Sequence, residues 1–183
     1  MNLLPFGKLP AAKPRKFVPE TIDLGDWPQI APLFEQLDAL AARVKNADDL
    51  ESWLLDWSEL NAALDEESSR RYIAMTCHTD SAEAEKAYLH FVENVEPQLK
   101  PRQFALEKIY VAHPLRDELL AIGTPASGTA RTADNEPCRR PAFRRYEVFD
   151  RDLKNHVELF RPQNVPLETE EARLCQQYQK LSG

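Results

Sequence analysis

The chain has 183 residues, about one domain at ~150 residues per domain, long enough to remove roughly 70 % of its unfolded surface from water. Hydrophobic residues make up 43 %, which supplies a core and excludes disorder throughout. Asp and Glu number 30 against 23 Lys and Arg, so the formal charge is −7, which repels phosphate backbones and anionic lipid and excludes generic nucleic-acid binding. With only 5 Gly, turn-rich all-β designs and glycine phosphate loops are disfavoured. Composition predicts an all-α domain, a helical bundle or stacked helical hairpins.

Residues 1–28 carry Pro5, Pro10, Pro14, Pro19 and Pro28, with Lys8, Lys13, Arg15 and Lys16 among them. Proline lacks a donor and pushes its predecessor out of the α region, so this span predicts an extended Pro-rich arm that either drapes over something or stays mobile. The helical domain is expected to begin at residue 29. Its first helix shows Ile30, Leu33, Phe34, Leu37, Leu40, Ala41 and Val44 at 3.6-residue spacing.

Asn46 is placed to cap a second helix, with Asp48 and Asp49 at the positive end of its dipole. Leu50, Trp53, Leu54, Trp57, Leu60 and Leu64 form its apolar stripe, and each such side chain contributes about 1.5–3 kcal/mol when buried. This helix is expected to run on through Tyr72, Ile73 and Met75. Thr79-Asp80-Ser81 then supplies a cap, with Glu83 three residues after Asp80 as in a capping box. A third helix carries Ala84, Ala87, Tyr88, Phe91, Val92 and Val95 on one side. Pro97 and Pro101 permit a kink or a break before the pattern resumes with Phe104, Leu106, Ile109 and Tyr110, and His113-Pro114 ends it.

Residues 121–145 are rich in Gly, Thr, Ala, Pro and Arg and show no period, so they predict one long irregular or disordered loop between a first helical part, 29–120, and a second, 146–183. In the second part Phe149, Leu153, Val157 and Phe160 recur, followed by a last helix opening at Asn164 and carrying Leu167, Leu174, Cys175, Tyr178 and Leu181. Ser182-Gly183 resembles a helix cap leading into a further element, so this part is expected to be truncated at its C-terminus.

Cys77, Cys138 and Cys175 are odd in number and form no CxxC pair, which predicts a reducing, cytoplasmic location. No run approaches the ~18 apolar residues of a membrane span, and no secretory signal pattern is present. Cys77-His78-Thr79-Asp80 is the densest cluster of chemistry-bearing groups, but adjacent helical side chains point about 100° apart. It predicts a helix end with a half-buried thiol. Cys175 falls on an apolar stripe and is expected in the core. His78, His90, His113 and His156 include no i, i+4 pair, so a helical HExxH zinc site is absent. Glu66-Glu67 and Glu168–Glu171 are expected to be solvated, and Trp53 and Trp57 to be core. Arg131, Arg139, Arg140, Arg144 and Arg145 lend the loop a local positive charge.

The segment WLLDWSELNAALDEESSRRYIAMTCHTDSAEAEKAYLHFVENVEP, residues 53–97, resembles the N-terminal region of M3 zinc metallopeptidases of the oligoendopeptidase F type. Trp53, Leu60, Leu64, Glu66 and Glu67 lead into RRYIAMTCHTD and EKAYLHFVENVEP in the order that family shows. KPRKFVPETIDLGDWPQI and RYEVFDRDLKNHVELFRPQNVPLETEEARL resemble it too, so the likeness spans nearly all but 121–143. The resemblance implies a helical lobe beside the channel of a peptidase acting on oligopeptides, its zinc held by a C-terminal HExxH helix with no counterpart here. No catalytic, cofactor-binding or metal-ligating residue is therefore assigned in this chain, and none of its own residues calls for a cofactor. The expected partners are the catalytic half of a peptidase or a second copy, through apolar residues on the last helix and around Tyr88 and Phe91. No nucleic acid or membrane is expected. The alternative is a stand-alone helical protein-interaction module without catalysis.

Overall fold

A computed structural model describes residues 14–121 and 145–182, and among these residues all regular structure is helical, with no strand. The helices are α1 (Trp27–Ala41), α2 (Ala47–Cys77), α3 (Ala82–His90), α4 (Glu96–Val111), α5 (Arg116–Ala121), α6 (Glu147–Leu159) and α7 (Asn164–Ser182), with a π-helical turn, Phe91–Val95, joining α3 to α4. The architecture is the expected all-α bundle. Of the predicted loop over 121–145, residues 122–144, with the arginines up to Arg144 and Cys138, lie outside the described residues, while Ala121 ends α5 and Arg145 pairs with Glu51 at 2.5 Å.

α1 begins at Trp27 and not at Ile30, because Pro28 occupies the first turn, where no backbone donor is needed. Ile30, Phe34 and Leu37 are fully buried against α2. α2 starts as expected: the Asn46 side chain accepts the Asp49 N–H at 2.8 Å, and Asp49 in turn accepts the Lys45 N–H at 3.0 Å. Its stripe from Leu50 to Leu64 is buried throughout, and the Trp53 indole N–H donates to the Leu37 carbonyl at 2.9 Å, tying α2 to the end of α1.

The capping of α3 departs from expectation. Ser81, not Asp80, accepts the Ala84 N–H at 3.2 Å, because a turn closed by Ser81 N–H to the His78 carbonyl at 2.9 Å delays the helix by one residue. The interruption that Pro97 and Pro101 allow is found as the π turn, which lies just before Pro97. Pro97 cannot donate to the Glu93 carbonyl, and the wider turn before it carries Phe91, Val92 and Val95 into the core, each 1 % exposed. After His113-Pro114 the short α5 forms, unanticipated from the sequence, and buries Leu119 against α2.

α4 packs on α1, α6 and α7. On the last helix the expected exposure of Leu174, Tyr178 and Leu181 is found, and on both C-terminal helices the inward positions include polar residues. On α6 the buried residue is Asp150, while Phe149 is 38 % exposed and Leu153, Val157 and Phe160 are half-buried. On α7, Val165 and Gln176 face the body, whereas Leu167, Leu174, Tyr178 and Leu181 face out.

Within the described part of the arm, Val18 and Leu24 enter the core. Glu59 on α2 fastens this span by accepting the N–H groups of Lys16, Phe17 and Val18 at 2.8–3.0 Å, and Arg15 reaches Glu66 at 3.1 Å. Burial pushes the Glu59 carboxyl up, but the three amide bonds and Arg15 outweigh it and hold its pKa below the usual value. A carboxylate with a depressed folded pKa contributes stability that is present above its unfolded value, about 4.3, and is lost as pH falls through the folded one. Glu59→Ala is expected to cost about 1–3 kcal/mol, and to raise hydrogen exchange at Lys16, Phe17 and Val18 selectively. Unchanged protection of these amides, measured by mass spectrometry, would show that Glu59 does not hold the arm.

Candidate functional site

The end of α2, the start of α3 and the last turns of α7 enclose an open cavity of about 380 Å³. Met75 forms an apolar wall, and Tyr72, His78, Glu85, Gln176 and Lys180 present polar groups. Glu85 organises the cavity: it accepts from Gln176 at 2.7 Å and from Lys180 at 2.7 Å, and these bonds hold its pKa below the usual carboxylate value. His78 and Thr79 of the Cys77–Asp80 cluster line this cavity, while the Cys77 thiol is exposed and not half-buried as expected, because α2 has left the core before it ends. Cys175 is also exposed, since it follows the outward side of α7 and not a core stripe. His90 contacts Asn94, His113 accepts the Leu115 N–H at 3.2 Å, and His156 meets Glu107, so the histidines are dispersed. Trp53 and Trp57 are core, at 2 % and 3 % exposure. Glu66 is exposed as expected, and Glu67 is half-buried through its bond to Arg71 at 2.8 Å.

Two buried carboxylates were not anticipated. Asp150 on α6 receives the guanidinium of Arg116 on α5, with Nη2 at 3.1 Å from Oδ2, the Lys154 ammonium at 3.2 Å and the Tyr110 hydroxyl at 3.3 Å. Burial pushes its carboxyl up, and the bonds from Arg116 and Lys154 outweigh burial to hold it below the usual value. Tyr110 moves up, through burial first and the facing Asp150 second. Glu107 on α4 meets His156 Nδ1 of α6 at 2.5 Å, and burial raises its carboxyl despite that bond. The sequence signal for Glu107 was its place between Leu106 and Tyr110 on the inward side of α4. For Asp150 the one local signal was Lys154 four residues on, which reads as a surface pair, because the partners that bury it, Arg116 and Tyr110, lie 34 and 40 residues away. Both pairs fasten α6 to the body, and neither sits in the cavity.

A family model for the Peptidase M3 N-terminal domain matches residues 17–124. The chain belongs to this family. No curated protein and no solved structure matches it. The match takes in the end of the arm from residue 17 and α1 to α5, with the cavity's α2–α3 corner, and stops before α6 and α7. Among the described residues of this M3 N-terminal domain no three His, Cys, Asp or Glu side chains converge as metal ligands, so the residues present do not fit a zinc centre and no step through zinc is assigned to them. Among the same residues no helix is long and apolar enough to cross a membrane.

The Asp150 cluster sets how firmly α6 is held to the M3 N-terminal domain's α4 and α5. Asp150→Asn leaves Arg116 without its counter-charge in a site where the two side chains are 16 % and 8 % exposed, and is expected to cost about 3 kcal/mol in urea unfolding at neutral pH. The depressed Asp150 pKa places its contribution above about pH 3.9 and removes it as pH falls through the folded value, so the difference between wild type and variant should shrink in acid. An equal difference at neutral and acid pH would show that the ion pair is not the cause.

Proposed function

We propose that this chain is the N-terminal helical lobe of an M3 zinc metallopeptidase of the oligoendopeptidase F type, acting on oligopeptides in the cytoplasm. The observation that carries this reading is the family match over residues 17–124, reinforced by the resemblance of residues 53–97, which fall on α2, α3 and the π turn around the cavity corner. The sequence contains no HExxH, so the zinc ligands and the general base belong to a catalytic half outside these 183 residues. That half is the partner of the outward face of α7, where Leu167, Leu174, Tyr178 and Leu181 stand 53–89 % exposed. The expected seam around Phe91 is not part of it, since Phe91 is buried, and Tyr88 is half-buried. Two exposed free thiols, Cys77 and Cys175, accord with a reducing compartment. The same open face favours a second reading, a stand-alone interaction module whose partner is not a peptidase.

The purified chain is expected to leave an internally quenched oligopeptide intact with or without added zinc. Mixed with an M3 polypeptide that lacks its own N-terminal domain, it should bind that polypeptide and confer chelator-sensitive hydrolysis. Hydrolysis by the chain alone that a chelator abolishes would overturn the assignment of the catalytic groups. Absence of both binding and activity in the mixture would favour the module.

A further inference from the structure

The C-terminal helix has its polar side turned inward. Val165 and Gln176 are 6 % exposed, Thr169 bonds back to the Val165 carbonyl at 3.0 Å, and Gln176 and Lys180 grip Glu85. At about 100° per residue, Leu167, Leu174, Tyr178 and Leu181 fall within an arc of roughly 60° on the opposite side. They stand 68, 53, 71 and 89 % exposed, and Leu159 at the end of α6 is 73 % exposed. Isolated exposed leucines are ordinary, but an aligned row along a 19-residue helix is a seam.

We infer that, in the absence of a catalytic polypeptide, this seam pairs with the same seam of a second copy, antiparallel, about a two-fold axis beside Leu174. The inference rests on the proposal above only in taking α7 as the docking face. Three features select this occupant. Leu167, Leu174 and Leu181 are spaced symmetrically at seven residues, so an antiparallel pair centred on Leu174 sets Leu167 against the other copy's Leu181 and Leu174 against itself, the self-complementarity that an isologous interface requires. The same register places Tyr178 opposite Glu170 of the second copy, a phenol donor facing a carboxylate. Charge also selects direction: with Glu168 and Lys180 engaged by Lys100 and Glu85 of the body, the first half of α7 still holds Glu170 and Glu171 with no cation, and the second half holds Arg173 with no acid. Antiparallel packing brings unlike halves and unlike helix ends together, whereas parallel packing stacks acid on acid. A lipid surface is the poorer occupant, because the seam's flanks are acidic and the chain carries −7.

A helix of 19 residues is about 28 Å long. One such seam falls short of the ~800 Å² per partner of a standard interface, so the pairing belongs in the micromolar range. Sedimentation of the full 183-residue chain should show a reversible monomer–dimer equilibrium across micromolar concentrations. Leu174→Glu should sediment as a monomer with unchanged helical circular dichroism, since the side chain is already half exposed. Register is tested in a background carrying Cys77→Ser, Cys138→Ser and Cys175→Ser. There Leu174→Cys should oxidise to a covalent dimer with itself, Leu167→Cys should not, and a mixture of Leu167→Cys with Leu181→Cys should. A wild type that stays monomeric at high micromolar concentration overturns the inference, as does a Leu174→Glu dimer, or self-linking of Leu167→Cys as fast as of Leu174→Cys. None of these measurements contains a catalytic polypeptide. Failure to reconstitute a peptidase therefore leaves the dimer test intact, and a monomeric chain that still reconstitutes activity refutes only the pairing.

Discussion

Burial of the α2 stripe is the constraint on which the rest of the molecule depends. Leu50, Trp53, Leu54, Trp57, Leu60 and Leu64 are each at most 5 % exposed, and α1, α3 and α5 all pack on this helix. At about 1.5–3 kcal/mol per side chain, this one face outweighs any polar contact in the described structure. The stripe ends at Leu64, yet α2 runs on to Cys77. Its last turns expose Tyr72 and Ile73, so that end is placed by different forces.

Arg71 is the main one. Its guanidinium bonds Glu67 at 2.8 Å and the Ala87 carbonyl at 3.0 Å, lies 5.7 Å from the centre of the Phe91 ring and approaches Asp23 at 4.0 Å. One side chain thus joins α2, α3, the π turn and the arm. The arm can pass this close only because residue 25 is glycine: a Cβ there would lie 1.9 Å from Arg71 Nη2. Arg71 falls within the segment whose likeness to M3 peptidases is most specific, and its work here is to shape the corner that holds the cavity.

Most of the α1–α2 pairing was legible in the sequence because an apolar face at 3.6-residue spacing, on helices that pair with each other, can only turn inward. Asn46 was legible because its cap is local. Periodicity failed where it was asked what covers a face. On α7 the uncovered leucines were anticipated, but not what faces inward in their place, Gln176 and Lys180 finding Glu85 on α3, 91 and 95 residues away. The π turn and α5 depend on how Pro97 and Pro114 redirect the chain toward the core, which local propensity does not encode. The Cys77–Asp80 cluster was read only as a helix end, and the cavity that His78 and Thr79 line was not anticipated, because its wall from α7 exists only through the Glu85 contacts.

The joints of the bundle therefore differ in kind along the chain. Between α1 and α2 they are dry and apolar. Between the body and α6 they combine half-buried rings, such as Phe104 on Phe160 at 4.1 Å, with the buried Asp150 and Glu107 pairs. Between the body and α7 they are largely polar: Lys100 to Glu168 at 2.6 Å near one end, Lys180 to Glu85 at 2.7 Å near the other. Exposed ion pairs contribute about 0–1 kcal/mol each and weaken with salt, so α7 is held far less firmly than α1. A helix held by solvated charges can shift while the core keeps its packing. Its apolar side is thereby carried on the element whose attachment salt weakens most, while the α2 stripe keeps its packing.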